Sequence, residues 1–188
     1  LLALGYFRVG NNIFNIWKSK TDILALLVFG FIGIPLVQYT YFAAIQHSNA
    51  ATATVLQYAG PALIAIYLAI VNKRFPGIFS ILAIVLAIAG TFLLVTHGSF
   101  NSLSISGLAL FWGISSAVAL AFYSIQPIKL LHRHHAIVVI GWAMLIGGIA
   151  FSFVRVPWQV EGIWDLDTYI STAFIILLGS VVAFYAYL

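Results

Sequence analysis

Trp112, Ser116, Ala119, Tyr123 and Gln126 recur at steps of three and four within an otherwise apolar run. That spacing gathers an aromatic and hydrogen-bonding stripe on one side of a helix. Thr54, Gln57, Tyr58 and Pro61 cluster similarly in a second run, and Gln38, Tyr41 and Gln46 lie close in azimuth in a third. Amides, hydroxyls and ring faces bind neutral or zwitterionic groups reversibly and attack nothing. Covalent chemistry would need paired acids, a His and Glu motif, or a nucleophile beside a base, and no run holds such a set. The apolar runs also lack Asp and Glu, so they offer no fixed negative charge to a cation, although ring faces attract cations weakly. No cofactor or metal is expected. His132, His134 and His135 stand beside Lys129 and Arg133, and that stretch reads as a solvated basic loop. His47 and His97 fall at helix ends with no carboxylate nearby in sequence.

Proline singles out two of these residues. Inside a helix it leaves the carbonyl four residues earlier without its backbone donor. Pro61 frees Gln57, Pro127 frees Tyr123 and Pro35 frees Phe31. Gln57 and Tyr123 are thus marked by side chain and by backbone.

The elements that must hold these stripes follow from composition. Of 188 residues, 63% are hydrophobic and 6% charged, and mean hydropathy is +1.11; a soluble domain carries about a quarter charged residues. Six runs are long enough for helices crossing about 30 Å of hydrocarbon: Ile23 to Gln46, Ala50 to Val71, Gly77 to Thr96, Ile105 to Leu130, Ala136 to Phe153 and Tyr169 to Leu188. Leu1 to Tyr6 reads as the tail of another. No period of two runs through them, which excludes a β-barrel. The chain starts and stops inside apolar stretches, as a piece of a longer protein would. Cys is absent and Met appears once, so disulfides play no part.

The net charge of +4 forms no basic stripe with interleaved aromatics, and nucleic acid is not an expected partner. It marks topology instead, because cytoplasmic loops hold the excess of Lys and Arg. Arg8, Lys18, Lys20, Lys73, Arg74, Lys129 and Arg133 all fall on one side of an alternating path. Arg155 falls on the other, with Glu161, Asp165 and Asp167, and with Trp158 and Trp164 as interface anchors. The connector before the first full run is therefore cytoplasmic and the His47–Ser48–Asn49 turn lies outside. Ala83, Ala87 and Gly90 form a small-residue ridge expected to pack against another helix.

Laying the first full run over the sixth aligns Gly33 with Gly179, Tyr39 with Tyr185 and Tyr41 with Tyr187. An odd number of crossings separates the two, so a five-helix unit would repeat upside down. The fold expected is an all-α polytopic membrane protein built as an inverted repeat of five-helix units, partly truncated.

The stretch TYFAAIQHSNAATATVLQYAGPALIAIYLAIVNKRFP, Thr40 to Pro76, resembles the drug/metabolite transporter superfamily, specifically its ten-helix EamA-type members. GIFSILAIVLAIAGTFLLV is similar to that family's next helix, GLALFWGISSAVALAFYSIQPIKLL to the start of its second repeat and GSVVAFYAYL to that repeat's third helix. Lys73 departs from a Glu common in the family. The resemblance implies that residues 1–100 close a first repeat (a remnant of helix 2, then helices 3 to 5) and that 101–188 open a second (helices 6 to 8). It implies a carrier in a bacterial inner membrane, moving a small organic solute, an amino acid or related metabolite, by alternating access and as an exporter. Gln38, Tyr41, Thr54, Gln57, Tyr58, Trp112, Ser116 and Tyr123 are its expected substrate contacts. The partners are then the solute and the lipid bilayer. A non-transporting membrane sensor or assembly subunit is the competing reading, and an intramembrane enzyme is not expected.

Overall fold

The computed structural model describes residues 1–73, 75, 77–96, 105–154 and 165–182, all helical or in short turns. Arg74, His97, Arg155, Trp158, Glu161, Trp164, Tyr185 and Tyr187 lie outside them. Helices run as α1 (Leu2–Val9), a 3-10 segment (Gly10–Lys18), α2 (Lys20–Val28), a π turn (Phe29–Gly33), α3 (Ile34–His47), α4 (Ala50–Gln57), α5 (Gly60–Asn72), α6 (Ile78–Thr96), α7 (Gly107–Ile125), α8 (Ile128–Arg133), α9 (Ala136–Val154), α10 (Leu166–Phe174) and a second π stretch (Ile175–Val182). Among the described residues four stretches are long and apolar enough to cross a bilayer: Lys20–His47, Ala50–Asn72, Gly107–Arg133 and Ala136–Phe153. Ile78–Leu93 and Leu166–Leu178 are shorter apolar helices. The chain is an all-α polytopic membrane protein.

Three helix starts are written locally. Asn49, Ser106 and Asp165 each accept a bond from the backbone N–H three residues on, at 2.9, 3.1 and 2.8 Å, which satisfies one of the four donors a helix start leaves open. Asp165 moves the sixth helix start to Leu166, ahead of the expected Tyr169. The prolines act as helix starters more than as kinks. α4 stops at Gln57, Tyr58 and Ala59 form a turn, and α5 restarts at Gly60 with Pro61 in its first turn, where the missing N–H costs nothing. Pro35 likewise stands in the first turn of α3 behind the π turn, and Pro127 precedes α8.

Residues fall into two compact units, Leu1–Ile32 with Pro127–Leu188, and Gly33–Gln126. In the second, α7 runs antiparallel to α3 and parallel to the α4–α5 span. Ser106 Oγ donates to the His47 carbonyl at 3.3 Å and the Tyr39 ring meets Trp112, so positions rise on one helix as they fall on the other. A Cβ on Gly113 would strike Leu56, and one on Gly60 would stand 2.9 Å from Leu120 and 3.2 Å from the Ala117 carbonyl. The buried face of α7 is Ala109, Gly113, Ser116, Ala117, Ala119 and Ala121. Small residues let backbones approach closely where lipid supplies no hydrophobic drive between helices. Among the described residues only Ala87 of the expected ridge Ala83, Ala87 and Gly90 is half-buried. Ala83 is exposed and a Cβ on Gly90 would meet nothing within 4 Å.

In the other unit the expected connector before the first span is largely helical. Ile13 and Ile16 of the 3-10 segment are buried, and the Trp142 indole Nε1 of α9 donates to the Ile13 carbonyl at 3.0 Å. Phe14 and Trp17 lie against the same indole, centroids 6.0 and 5.2 Å away. Gly10 enters the segment at φ 60, a left-handed value that a side chain would strain. Trp142→Phe keeps the ring contacts and leaves the Ile13 carbonyl without its donor, so it should cost about 1 kcal/mol. A lowered thermal midpoint, with faster amide exchange confined to residues 10–18, is the expected reading.

Candidate functional site

All eight residues expected at the site lie in the unit Gly33–Gln126. Two cross-helix hydrogen bonds join four of these side chains in pairs. Tyr41 on α3 and Thr54 on α4 are 2.8 Å apart through their oxygens. The Thr54 hydroxyl proton already goes to the Ala50 carbonyl at 2.7 Å, so the Tyr41 phenol donates and Thr54 accepts. One turn further, at the end of α4, Gln57 Nε2 donates to Ser116 Oγ on α7 at 2.8 Å. Ser116 is fully buried and Gln57 half-buried. Trp112, one turn before Ser116, is half-buried and takes the Tyr39 ring edge-on at 5.6 Å and Phe111 at 5.2 Å.

Other hydroxyls in the spans find partners within their own helix. Thr40, Ser115, Ser124 and Ser152 each donate to the carbonyl four residues back, at 2.7 to 2.9 Å. Such back-bonding satisfies a hydroxyl in lipid with no second helix. Tyr41, Gln57 and Ser116 differ because their side-chain bonds reach from one helix to another. A side-chain amide and two hydroxyls so exchanged can be handed to a ligand's own donors and acceptors at small net cost, since each bond lost is replaced by one gained.

Tyr123 is half-buried two turns beyond Ser116, about 10 Å along α7. Gln38 is exposed on α3. Tyr58 is 65% exposed in the turn between α4 and α5, away from the Gln57 and Ser116 pair. Tyr39 was not among the expected contacts, yet it is the ring that meets Trp112. Its signal was present as an aromatic one turn before Phe42 and seven residues before Gln46, close to that amide in azimuth.

At the Lys- and Arg-rich end of the other unit Lys129, His132, Arg133 and His135 are exposed, as expected of a solvated stretch, but Arg133 and His134 are paired with an acid. Arg133 Nη1 donates to Asp22 Oδ1 at 2.8 Å and His134 Nε2 lies 3.0 Å from Asp22 Oδ2. Asp22, in the first turn of α2, is 7% exposed, and the His134 side chain is 14% exposed. The reason is tertiary: a carboxylate held at the start of one span needs donors, and the end of α8 supplies two.

Apolar membrane-length stretches, several of them interrupted by a turn or a π segment, and polar side chains bonded between helices define a polytopic α-helical protein. The model of the EamA-like transporter family matches residues 1–96. Over 149 residues the chain is 46% identical to a protein of Salmonella typhimurium described as the uncharacterized inner membrane transporter YicL, covering 79% of this chain and 50% of that protein. The chain thus spans about half the length of the curated relative it matches. No solved structure matches. The chain belongs to the EamA-like transporter family.

Proposed function

We propose that this chain forms part of a carrier that moves a small organic solute across a bacterial inner membrane by alternating access. The observation that carries the reading is the Gln57 to Ser116 hydrogen bond, which spends two polar side chains between helices at a restarted span. Polar groups at membrane depth are expensive and tend to mark solute paths. Tyr41, Thr54, Trp112 and Tyr123 share that unit and would shape the cavity, with Gln38 and Tyr58 at its margins. The neutral lining favours a neutral or zwitterionic solute, an amino acid or related metabolite, moved outward. On this reading residues 1–100 and 101–188 belong to successive five-helix repeats inserted in opposite senses, and the Lys- and Arg-rich end faces the cytoplasm. The relative's description as an inner membrane transporter agrees with it.

The test is uptake and counterflow of a labelled amino-acid and metabolite panel in proteoliposomes holding the full-length protein. Saturable flux is expected. Gln57→Ala should lower it about tenfold, the equivalent of about 1.4 kcal/mol, and Tyr123→Phe should lower it less. Flux unchanged in both variants would remove the site and leave the carrier. Flux of no solute at all would favour the sensor or subunit reading.

A further inference from the structure

A cavity of about 200 Å³ opens at the Lys- and Arg-rich end of the unit that contains α1, α2, α8 and α9. Its polar wall is Asn12 and Asn15 from the 3-10 segment and Arg133, His134 and His135 from the end of α8 and the approach to α9. It lies outside the unit that holds the proposed solute contacts and does not depend on that reading. We propose that this cavity binds a phosphoryl oxyanion, supplied by the headgroup of a membrane phospholipid.

Donor chemistry is the first argument. The Arg133 guanidinium carries five N–H donors, and one of them, on Nη1, reaches Asp22. The side chain is 58% exposed, so the rest of the fork is open to a second oxyanion. Asp22 anchors that fork through Nη1 and is not part of the cavity wall. The guanidinium is therefore held in place before a ligand arrives, which reduces the entropy lost on binding. Asn15 Nδ2 donates to Asn12 Oδ1 at 3.0 Å, leaving one amide proton of Asn15 and both of Asn12 for a ligand. His135 is exposed with no side-chain bond among the described contacts. Each of these groups can donate to an oxyanion. The wall contains no carboxylate to repel one.

Charge and position argue next. The connectors at this end hold Arg8, Lys18, Lys20, Lys129 and Arg133 against the single acid Asp22. The α9 helix begins at Ala136 with no acidic residue in its first turn, so its positive end adds to the same field. The cavity stands where two apolar stretches of membrane-crossing length begin, at Lys20 and Ala136, and the ends of such spans are where lipid headgroups lie. The 3-10 segment that forms one wall turns Ile13 and Ile16 inward and leaves Phe14 52% exposed, and Phe7 of α1 is 87% exposed. Rings exposed beside a polar cavity suit the boundary between headgroup and acyl chain. That placement favours a lipid phosphate over a free one. At about 30 Å³ per water, the space holds a phosphate group with part of its hydration.

The experiment is native mass spectrometry of the full-length protein carried from detergent with phosphatidylglycerol, beside equilibrium binding of labelled inorganic phosphate. His135→Glu and Asn15→Asp each set a carboxylate on the wall and leave the Asp22 contacts untouched. Size-exclusion profiles and thermal midpoints like those of the unaltered protein confirm that both variants fold. Wild-type protein should retain phosphatidylglycerol, and each variant should weaken retention about tenfold, as replacing a charge-assisted bond by repulsion does. Inorganic phosphate bound with the same sensitivity would keep the oxyanion site and overturn the lipid as its source. Phosphatidylglycerol retained equally by wild type and both variants, or neither probe bound, would overturn the site.

Discussion

Gly113→Leu should separate the fourth span from the second and cost about 3 kcal/mol, the upper range for forcing bulk into a packed core. A single Cβ at Gly113 already meets the Leu56 side chain, with Leu56 Cβ 2.8 Å away. Leu56 is fully buried, so it has nowhere to turn. The measurable result is an early-eluting or aggregated protein in detergent and a lower thermal midpoint. Gly90→Leu supplies the control, because that position opens on space within 4 Å, and it should leave the midpoint in place. Gly113→Ala combined with Leu56→Ala should be less damaging than the sum of the two single changes, since each relieves the other's clash or void. Strict additivity would mean that the two residues do not touch.

Arg133→Ala should be the second large effect, and it should exceed Asp22→Ala. The asymmetry follows from exposure. Asp22 is 7% exposed, while the Arg133 side chain is 58% exposed. Without Asp22 the guanidinium turns to water at little cost. Without Arg133 the carboxylate stays where it is, with His134 alone beside it. The expected loss for Arg133→Ala is about 2 kcal/mol, between an exposed pair's 0–1 and a buried pair's 3–5. Adding Asp22→Ala to Arg133→Ala should recover part of that loss. A double variant less stable than Arg133→Ala would show that the pair is not a coupled one.

The spans were legible because hydropathy and length depend on local sequence alone. Ala50–Asn72 and Ala136–Phe153 agree with the runs read from the chain to within a residue. The 3-10 segment was not legible in that way. Its fold depends on Ile13 and Ile16 finding a buried face and on an indole 129 residues away, and periodicity over nine residues of mixed polarity names neither. Asp22 and Arg133, 111 residues apart, carry no mark that pairs them. At the candidate site the helical wheel agrees with the structure in part, since Gln38 on unbroken α3 is exposed. Thr54, Gln57 and Ser116 belong to unbroken segments and meet partners across helices. Tyr58 was placed by continuing the wheel through a position where the helix stops, and the turn carries its ring outward. Proline location gave the break, but the direction of the side chain after it depends on how the next helix restarts.

The restart has a mechanical meaning. At about 1.5 Å per residue α4 is a rod of about 12 Å and α5 one of about 20 Å, so neither crosses about 30 Å of hydrocarbon alone. Their joint at Tyr58 and Ala59 therefore lies at membrane depth. The neighbouring α7 starts level with α4, near His47, and runs about 28 Å before its own joint at Gln126 and Pro127. Two adjacent parallel columns are thus interrupted at different depths, and the Gly60 contact with Ala117 and Leu120 lies between those levels. Gly60 follows directly on the first joint, so the restarted helix is seated against α7 from its first turn.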